Sequence, residues 1–486
     1  MLTQIFILTR KHIFIPQAKS NRERDFLMIA FGTKNKPILY RITWIVLIVA
    51  SLLAFVSMWY SDLFITYRHG LMLIDSIVDN RFFDFYAVTI EREYNAAYSI
   101  PIYIIFAVWN IPTWILTRIV GMPEDAVICL LWAKALLLAF LSLAMMQIYK
   151  IAKLRGIDEE KVMFLFMSSL FVFCPLMAVG QYDIIGVAFS LCAIRKYLED
   201  GRLSALSIFL FSVSASMKFF ALFPYLILVL LVEKRIIRIC INLLFGVLFN
   251  FVVMIPFASG FKSSSGSFNG VMLQRLFTVC FPGGNVNISL FCLLISTVCV
   301  LAFLSNRKTS EEIFDLWIWM GSFTWLSFFI FMERAFPYWI IWMAPFMILL
   351  IGTKSEYSRV NVLFETLLEA GFTFMMAYVY YWVYLAKGVF DKLLLKGLFS
   401  DSNYAGKSFK DIVEWLHLEV YFPGVCALTA VLAATILVIN NPWCKILPSD
   451  IDGGIVCSET FLRIMRGCLM LLFFIASILC NVDLGF

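Results

Sequence analysis

The sequence predicts an all-α polytopic membrane protein with 11 to 13 transmembrane helices and juxtamembrane helices on the extracytoplasmic side. Three observations predict it. Hydrophobic residues make up 62% of the 486-residue chain and charged residues only 15%, whereas soluble domains carry roughly 25% charged residues. Apolar runs near the ~20-residue length of a membrane span recur along the chain. Threading these runs through a bilayer puts 25 of the 39 Lys and Arg residues in cytoplasmic segments, in line with the positive-inside bias. The mean hydropathy of +0.88 excludes an ordinary soluble domain.

Taken in order, residues 1–37 form a basic cytoplasmic segment. "TRKHIFIPQAKSNRERD" is polar and lacks the short apolar core and small-residue cleavage site of a signal peptide. It fixes topology and binds no nucleic acid. The first span, 38–60, acts as an uncleaved anchor. Further spans are expected near 126–149, 162–180, 184–198, 204–217, 219–232, 239–258, 287–305, 313–332, 338–352, 362–385, 420–440 and 467–482. Residues 38–352 form the main transmembrane module and 353–486 a C-terminal transmembrane region. The latter carries an outer loop, 386–417, that reads as a solvated amphipathic cap. Most of the twelve Cys lie in apolar runs without metal spacing and read as small core hydrophobes.

Two segments between the first two spans have special roles. The loop 61–97 holds six acids, three arginines and His69. Leu63, Phe64, Tyr67, Leu71, Ile74, Ile77 and Val78 follow a 3.6-residue period, which predicts an amphipathic helix on the outer leaflet. The stretch "SIPIYIIFAVWNIPTWILTRIV" (99–120) is apolar enough to span, but counting it would reverse every later loop. With Pro101, Asn110 and Pro112 it is expected to form a re-entrant or interfacial hairpin, 98–120.

Isolated charges then gather at the outer ends of helices. Asp62 follows the first span. Asp183 sits in "AVGQYDIIGVAF", Lys218 in "SASMKFFALFPY", and Glu333 and Arg334 in "FMERAFPYWIIW". Such residues at membrane depth are costly unless water, a partner or a substrate satisfies them. Cations there can hold a lipid phosphate. A nearby carboxylate can take the proton of an attacking hydroxyl. Glycosyl transfer from a lipid-phosphate sugar needs both, and Asp62 suits the base. The alternative for Asp183 and Lys218 is an ion pair that only locks helices together.

These features resemble the GT-C superfamily of integral-membrane glycosyltransferases. Four groups carry the resemblance: Asp62 after the first span; "YSIPIYIIFAVWNIPTWIL" (98–116); "GQYDIIGVAF" with the following stretch to residue 231; and "ERAFPYWIIWMAPF" (333–346). The third is similar to the Gly-Gln-x-Asp, Lys-Pro, Leu-Pro pattern of polyprenyl-phosphate mannosyltransferase-like members, with Lys218-Phe219 in place of Lys-Pro. The fourth is similar to their His-Pro-Gln-Tyr-x-x-Trp-x-x-Pro segment but lacks His and Gln. The resemblance covers roughly 40–350, and such enzymes vary beyond 360. It implies Asp62 as catalytic base. It implies substrate-binding roles for Asp183 and Gln181 at sugar or acceptor, and for Lys218 and Arg334 at the lipid phosphate. Glu333, Tyr338, His69 and Arg68 complete the implied substrate-binding set.

The implied donor is a polyprenyl- or dolichyl-phosphate hexose or mannose-like sugar; the acceptor is a glycan, lipid or protein. No obligatory cofactor or metal is expected, because the loop acids form no compact Asp-x-Asp; a divalent cation held by clustered oxygens is the open branch. The implied location is a bacterial plasma membrane, with the N-terminus cytoplasmic and the site extracytoplasmic. Two competing classes are a transporter or flippase for lipid-linked sugars and a polymerase or ligase of lipid-linked glycans. The first favours repeated halves and mid-helix charges. The second would use a large late loop such as 386–417.

Overall fold

The computed structural model describes residues 38–58, 60–262, 274–283, 286–353, 358–385, 407–443 and 457–480. The basic segment 1–37 and residues 386–406 of the expected outer loop lie outside the described residues.

α1 (Ile38–Ser57) leads through three residues into α2 (Ser61–Val78) and α3 (Phe85–Glu91). α4 (Ile100–Trp109) and α5 (Ile111–Arg118) meet at a 69° bend. α6 (Val127–Arg155) is the longest helix. α7 (Glu159–Met167) and α8 (Leu170–Phe173) are also bent, by 53°, and α8 continues as a π turn, Cys174–Val179. There follow α9 (Asp183–Asp200), α10 (Ala205–Met217), α11 (Leu222–Val232) and α12 (Ile236–Met254). A hairpin of β1 (Cys280–Gly283) and β2 (Val286–Ser289) pairs Phe281 with Ile288 and Pro282 with Asn287. α13 (Leu290–Leu304), α14 (Ser310–Phe331), α15 (Ala344–Thr353) and α16 (Ser358–Val379) complete the central bundle. α17 (Phe409–Trp415), α18 (Phe422–Ile439) and α19 (Glu459–Leu479) close the chain.

The protein is thus a helical, multi-pass membrane protein with one small hairpin that the all-α expectation omitted. Among the described residues seven helices are long and apolar enough to cross a membrane, or nine if each bent pair is one span. This is below the expected 11 to 13. Four expected spans are short apolar helices: Ala205–Met217, Phe219–Val232, Leu290–Leu304 and Pro337–Thr353. The first ends because Lys218 is extended, at φ −157°. A fifth, α9, ends in Arg195, Lys196, Glu199 and Asp200, which form i,i+4 pairs.

The 98–120 segment is the bent pair α4–α5. Asn110 marks the bend: its Nδ2 donates to Phe106 O at 2.8 Å, and Thr113 Oγ1 donates to its Oδ1 at 3.2 Å. Pro112 then tolerates the first turn of α5, where an N–H has no helical partner anyway. α2 exists as expected, but it does not merely rest on a surface. Leu63, Tyr67 and Leu71 are buried, and so are His69, Met72 and Leu73 on other faces. α4 and α6 cover it, with Cys129, Leu130 and Ala133 packed on Tyr67 and Leu71.

A charged frame holds α2 to its neighbours. Asp75 accepts from Arg92 (2.6 Å), Trp114 (2.7 Å) and Arg118 (3.0 Å). Glu124 accepts from Arg118 (2.7 Å) and Arg68 (2.5 Å). Burial alone would raise the Asp75 pKa, but the bonds from Arg118, Arg92 and Trp114 outweigh it and leave it lowered. Its stabilising effect is therefore present above the unfolded carboxylate pKa of about 4 and is lost as pH falls through the lower folded value. Asp75→Asn should cost about 1–2 kcal/mol, a value reduced because both guanidinium groups are partly exposed. Amide exchange over 85–120 should accelerate in the variant at pH 7, and in the parent only in acid. Unchanged exchange in the variant would show the frame to be unimportant.

At the opposite end of α1, Glu160 accepts from Trp44 (2.8 Å) and from both terminal nitrogens of Arg463 (2.9 and 2.5 Å). The Arg463 guanidinium lies 3.8 Å from the Tyr40 ring centroid and 4.3 Å from that of Phe164. Deeper in the bundle, Arg466 pairs with Glu365 and Glu369 and donates to Ser168 (2.7 Å) and Leu165 O (2.9 Å). Glu369 also accepts from Ser169 and from Leu170 N, where α8 begins. One expectation is corrected here: isolated charges are not confined to one set of helix tips. Arg463 and Arg466 are buried in ion pairs. Their acidic partners are distant in sequence, so a count of charges along the chain does not show the pairing.

Candidate functional site

The site forms where α9 begins and α10 ends. These antiparallel helices place an N-terminus, which favours an acid, beside a C-terminus, which favours a cation. Asp183 is the first residue of α9 and Lys218 caps α10. Lys218 Nζ donates to Asp183 at 2.9 Å, and Trp342 Nε1 donates to Asp183 Oδ1 at 2.9 Å. Trp342 reaches this point because residue 186 is glycine: a Cβ there would lie 2.6 Å from Trp342 Cη2. The Lys218 ammonium lies 5.3–5.9 Å from the ring centroids of Tyr182, Trp339, Tyr98, Phe220 and Tyr338. Such a cage stabilises a cation through the ring faces.

Asp62 lies in the first turn of α2, half-buried. Gln181 Nε2 donates to its Oδ2 at 2.8 Å. Gln181 is aimed there by the turn that ends the π segment. Gly180 adopts φ +75°, a left-handed conformation that glycine takes without Cβ strain, and its N–H reaches Pro175 O, five residues back. Burial raises the Asp62 pKa, opposed by Gln181, Tyr338 and Lys218 and reinforced by Asp183. A carboxylate with a raised pKa is a better proton acceptor than a free one.

A cavity of about 400 Å³ opens beside Lys218. Tyr98, Ser216, Phe220, Asn250 and Trp339 line it. Trp339 Nε1 and Asn250 Oδ1 are buried and have no hydrogen-bond partner among the described residues. The cavity therefore offers a cation and aromatic faces, while the Trp339 N–H and the Asn250 carbonyl are buried behind its lining. A cation among rings suits an anion.

The expected residues divide as follows. Asp62, Gln181, Asp183, Lys218 and Tyr338 converge. Asp183 is fully enclosed, with its oxygens taken by Lys218 and Trp342, so in this arrangement it orients Lys218. The other four lie elsewhere. Arg68 is engaged by Glu124 and stacks on Tyr94. His69 Nε2 donates to Tyr94 O at 2.9 Å, and burial pushes its pKa down to about 4, leaving it neutral at pH 7. Glu333 and Arg334 pair with each other at 3.6 Å outside the cluster, with the Arg334 side chain 75% exposed.

Sequence reasoning missed Trp342, Trp339, Tyr98 and, above all, Lys134. Lys134 is a lone cation inside the apolar run of α6, a signal that was open to reading. Among the described residues its Nζ donates to backbone carbonyls alone. Among the described residues no three His, Cys, Asp or Glu side chains gather to hold a metal ion, and the described cysteines are free thiols. No protein-family model, curated protein or solved structure matches the chain.

Proposed function

We propose that the protein is a membrane glycosyltransferase that moves a hexose or mannose-like sugar from a polyprenyl-phosphate donor to an acceptor hydroxyl on the extracytoplasmic side. One observation carries the reading: a half-buried carboxylate with a raised pKa stands within electrostatic reach of Lys218, which lines a cavity walled largely by aromatic and apolar side chains. The acceptor oxygen bonds to the anomeric carbon as the bond from that carbon to the phosphate oxygen breaks. Asp62 takes the acceptor proton. The departing polyprenyl phosphate keeps the electron pair and gains Lys218 as its partner. Tyr338 and Gln181 hold Asp62 in place.

A second reading has its own support. The buried Glu365, Glu369 and Arg466 at the break between α7 and α8 suit a transporter or flippase of lipid-linked sugars, whose pathways use broken helices and intramembrane charges. Purified protein in proteoliposomes with a panel of polyprenyl-phosphate hexoses decides between them. Release of free polyprenyl phosphate coupled to glycosylated acceptor is expected. Lipid translocation without release would replace the first reading with the second.

A further inference from the structure

The geometry points to Lys134 as the positioning residue that sets the contact between Asp62 and Gln181. This rests on the reading of Asp62 as the reacting carboxylate, but it makes a structural claim that can fail separately.

Lys134 projects from α6 into the bundle and is almost wholly buried. Its three N–H groups donate to Phe55 O (2.9 Å), Met58 O (2.5 Å) and Met177 O (2.6 Å), with Ala54 O sharing one of them at 3.3 Å. Its Nζ is 5.1 Å from the Phe55 ring centroid. Phe55 O and Met58 O lie at the open C-terminal end of α1, whereas Ala54 O also accepts from Met58 N–H at 2.9 Å. The fourth belongs to the π turn after α8. A cation among such carbonyls is favoured by both helix termini.

The spacing makes this more than a helix cap. Met58 lies four residues before Asp62, and Met177 four residues before Gln181. Both segments turn directly after the bound carbonyl: α1 into α2, and the π turn into Gly180. The side chains they deliver then meet at 2.8 Å. One ammonium thus ties together the two backbone stretches that present the carboxylate and its amide donor. Carboxylates take no part in these four bonds, so Lys134 acts through placement of the backbone and touches neither reacting atom.

The test uses the full-length membrane protein, with Lys134→Met and Lys134→Ala. The first readout needs no activity: oxidative cross-linking of an Asp62→Cys/Gln181→Cys pair, compared with and without Lys134→Met. Cross-linking at least tenfold slower is expected in a monodisperse protein. In the native-site background, Lys134→Met should lower transfer at least tenfold and displace the acid limb of its pH profile to higher pH, because Asp62 loses the Gln181 bond that holds its pKa down. Methylammonium should restore part of both readouts to Lys134→Ala by occupying the carbonyl nest. Full cross-linking in folded Lys134→Met overturns the proposal. So does aggregation of both variants with and without methylammonium, which would make Lys134 a folding residue only. If the parent shows no transfer with any donor, the function reading fails while the cross-linking result still stands.

Discussion

Asp62→Asn is expected to lower sugar transfer by about 10²–10⁴-fold, the usual contribution of a positioned general base, while leaving the protein folded. The amide can still accept from Gln181 but cannot take the acceptor proton. The same substitution should raise stability slightly. The Asp62 pKa is raised in the folded protein by burial, so between the unfolded and folded values the native state binds more protons than the unfolded one. Stability is then greatest below the unfolded pKa and falls as pH rises through the folded one. Asn removes that loss. The pair of measurements is a transfer assay and a thermal melt in detergent. In the parent, transfer should rise with pH across a limb displaced above the usual carboxylate range. Asp62→Asn that transfers sugar at the parent rate would end its assignment as base.

Arg466→Met is expected to be the most damaging single substitution for stability. It leaves Glu365 and Glu369 facing each other in the bundle without their guanidinium, and removing one partner of a buried ion pair costs about 3–5 kcal/mol. The protein should accumulate poorly or melt well below the parent. Arg466→Met combined with Glu365→Gln and Glu369→Gln should recover much of the loss, because the triple change leaves no uncompensated charge. Equal melting of the single and triple variants would mean that packing of the long side chain matters more than its charge. Recovery of folding without transport or transfer would also identify a functional role for the acids.

The helical, multi-pass architecture was legible because apolar run length is a property of local sequence. Asp62, Asp183 and Lys218 stood out for the same reason: each is a single charge between greasy runs. Lys134 did not, since averaging over a 24-residue span dilutes one lysine. Glu365 and Glu369 lie four residues apart within the expected span 362–385, and neither was singled out. What makes them buried is Arg466, about a hundred residues away. Arg68 and His69 illustrate the opposite error. Their proximity to Asp62 in sequence suggested a shared site, yet six or seven residues along α2 is nearly two turns, about 10 Å of rise. Glu124 and Tyr94 claim them there. The identity of a polar residue was readable; its partner was not, because partner choice is decided by tertiary packing.

The π turn at Cys174–Val179 has a consequence for how this chain can evolve. A π turn amounts to one residue inserted into a helix, and each residue turns the helix by about 100°. Loss of that residue would swing Gln181 and everything after it by more than a quarter revolution, away from Asp62. The insertion and the acid are therefore geometrically coupled through Gln181. Among descendants of this gene, a one-residue deletion between 174 and 179 should track with replacement of Asp62, although the two positions lie more than a hundred residues apart.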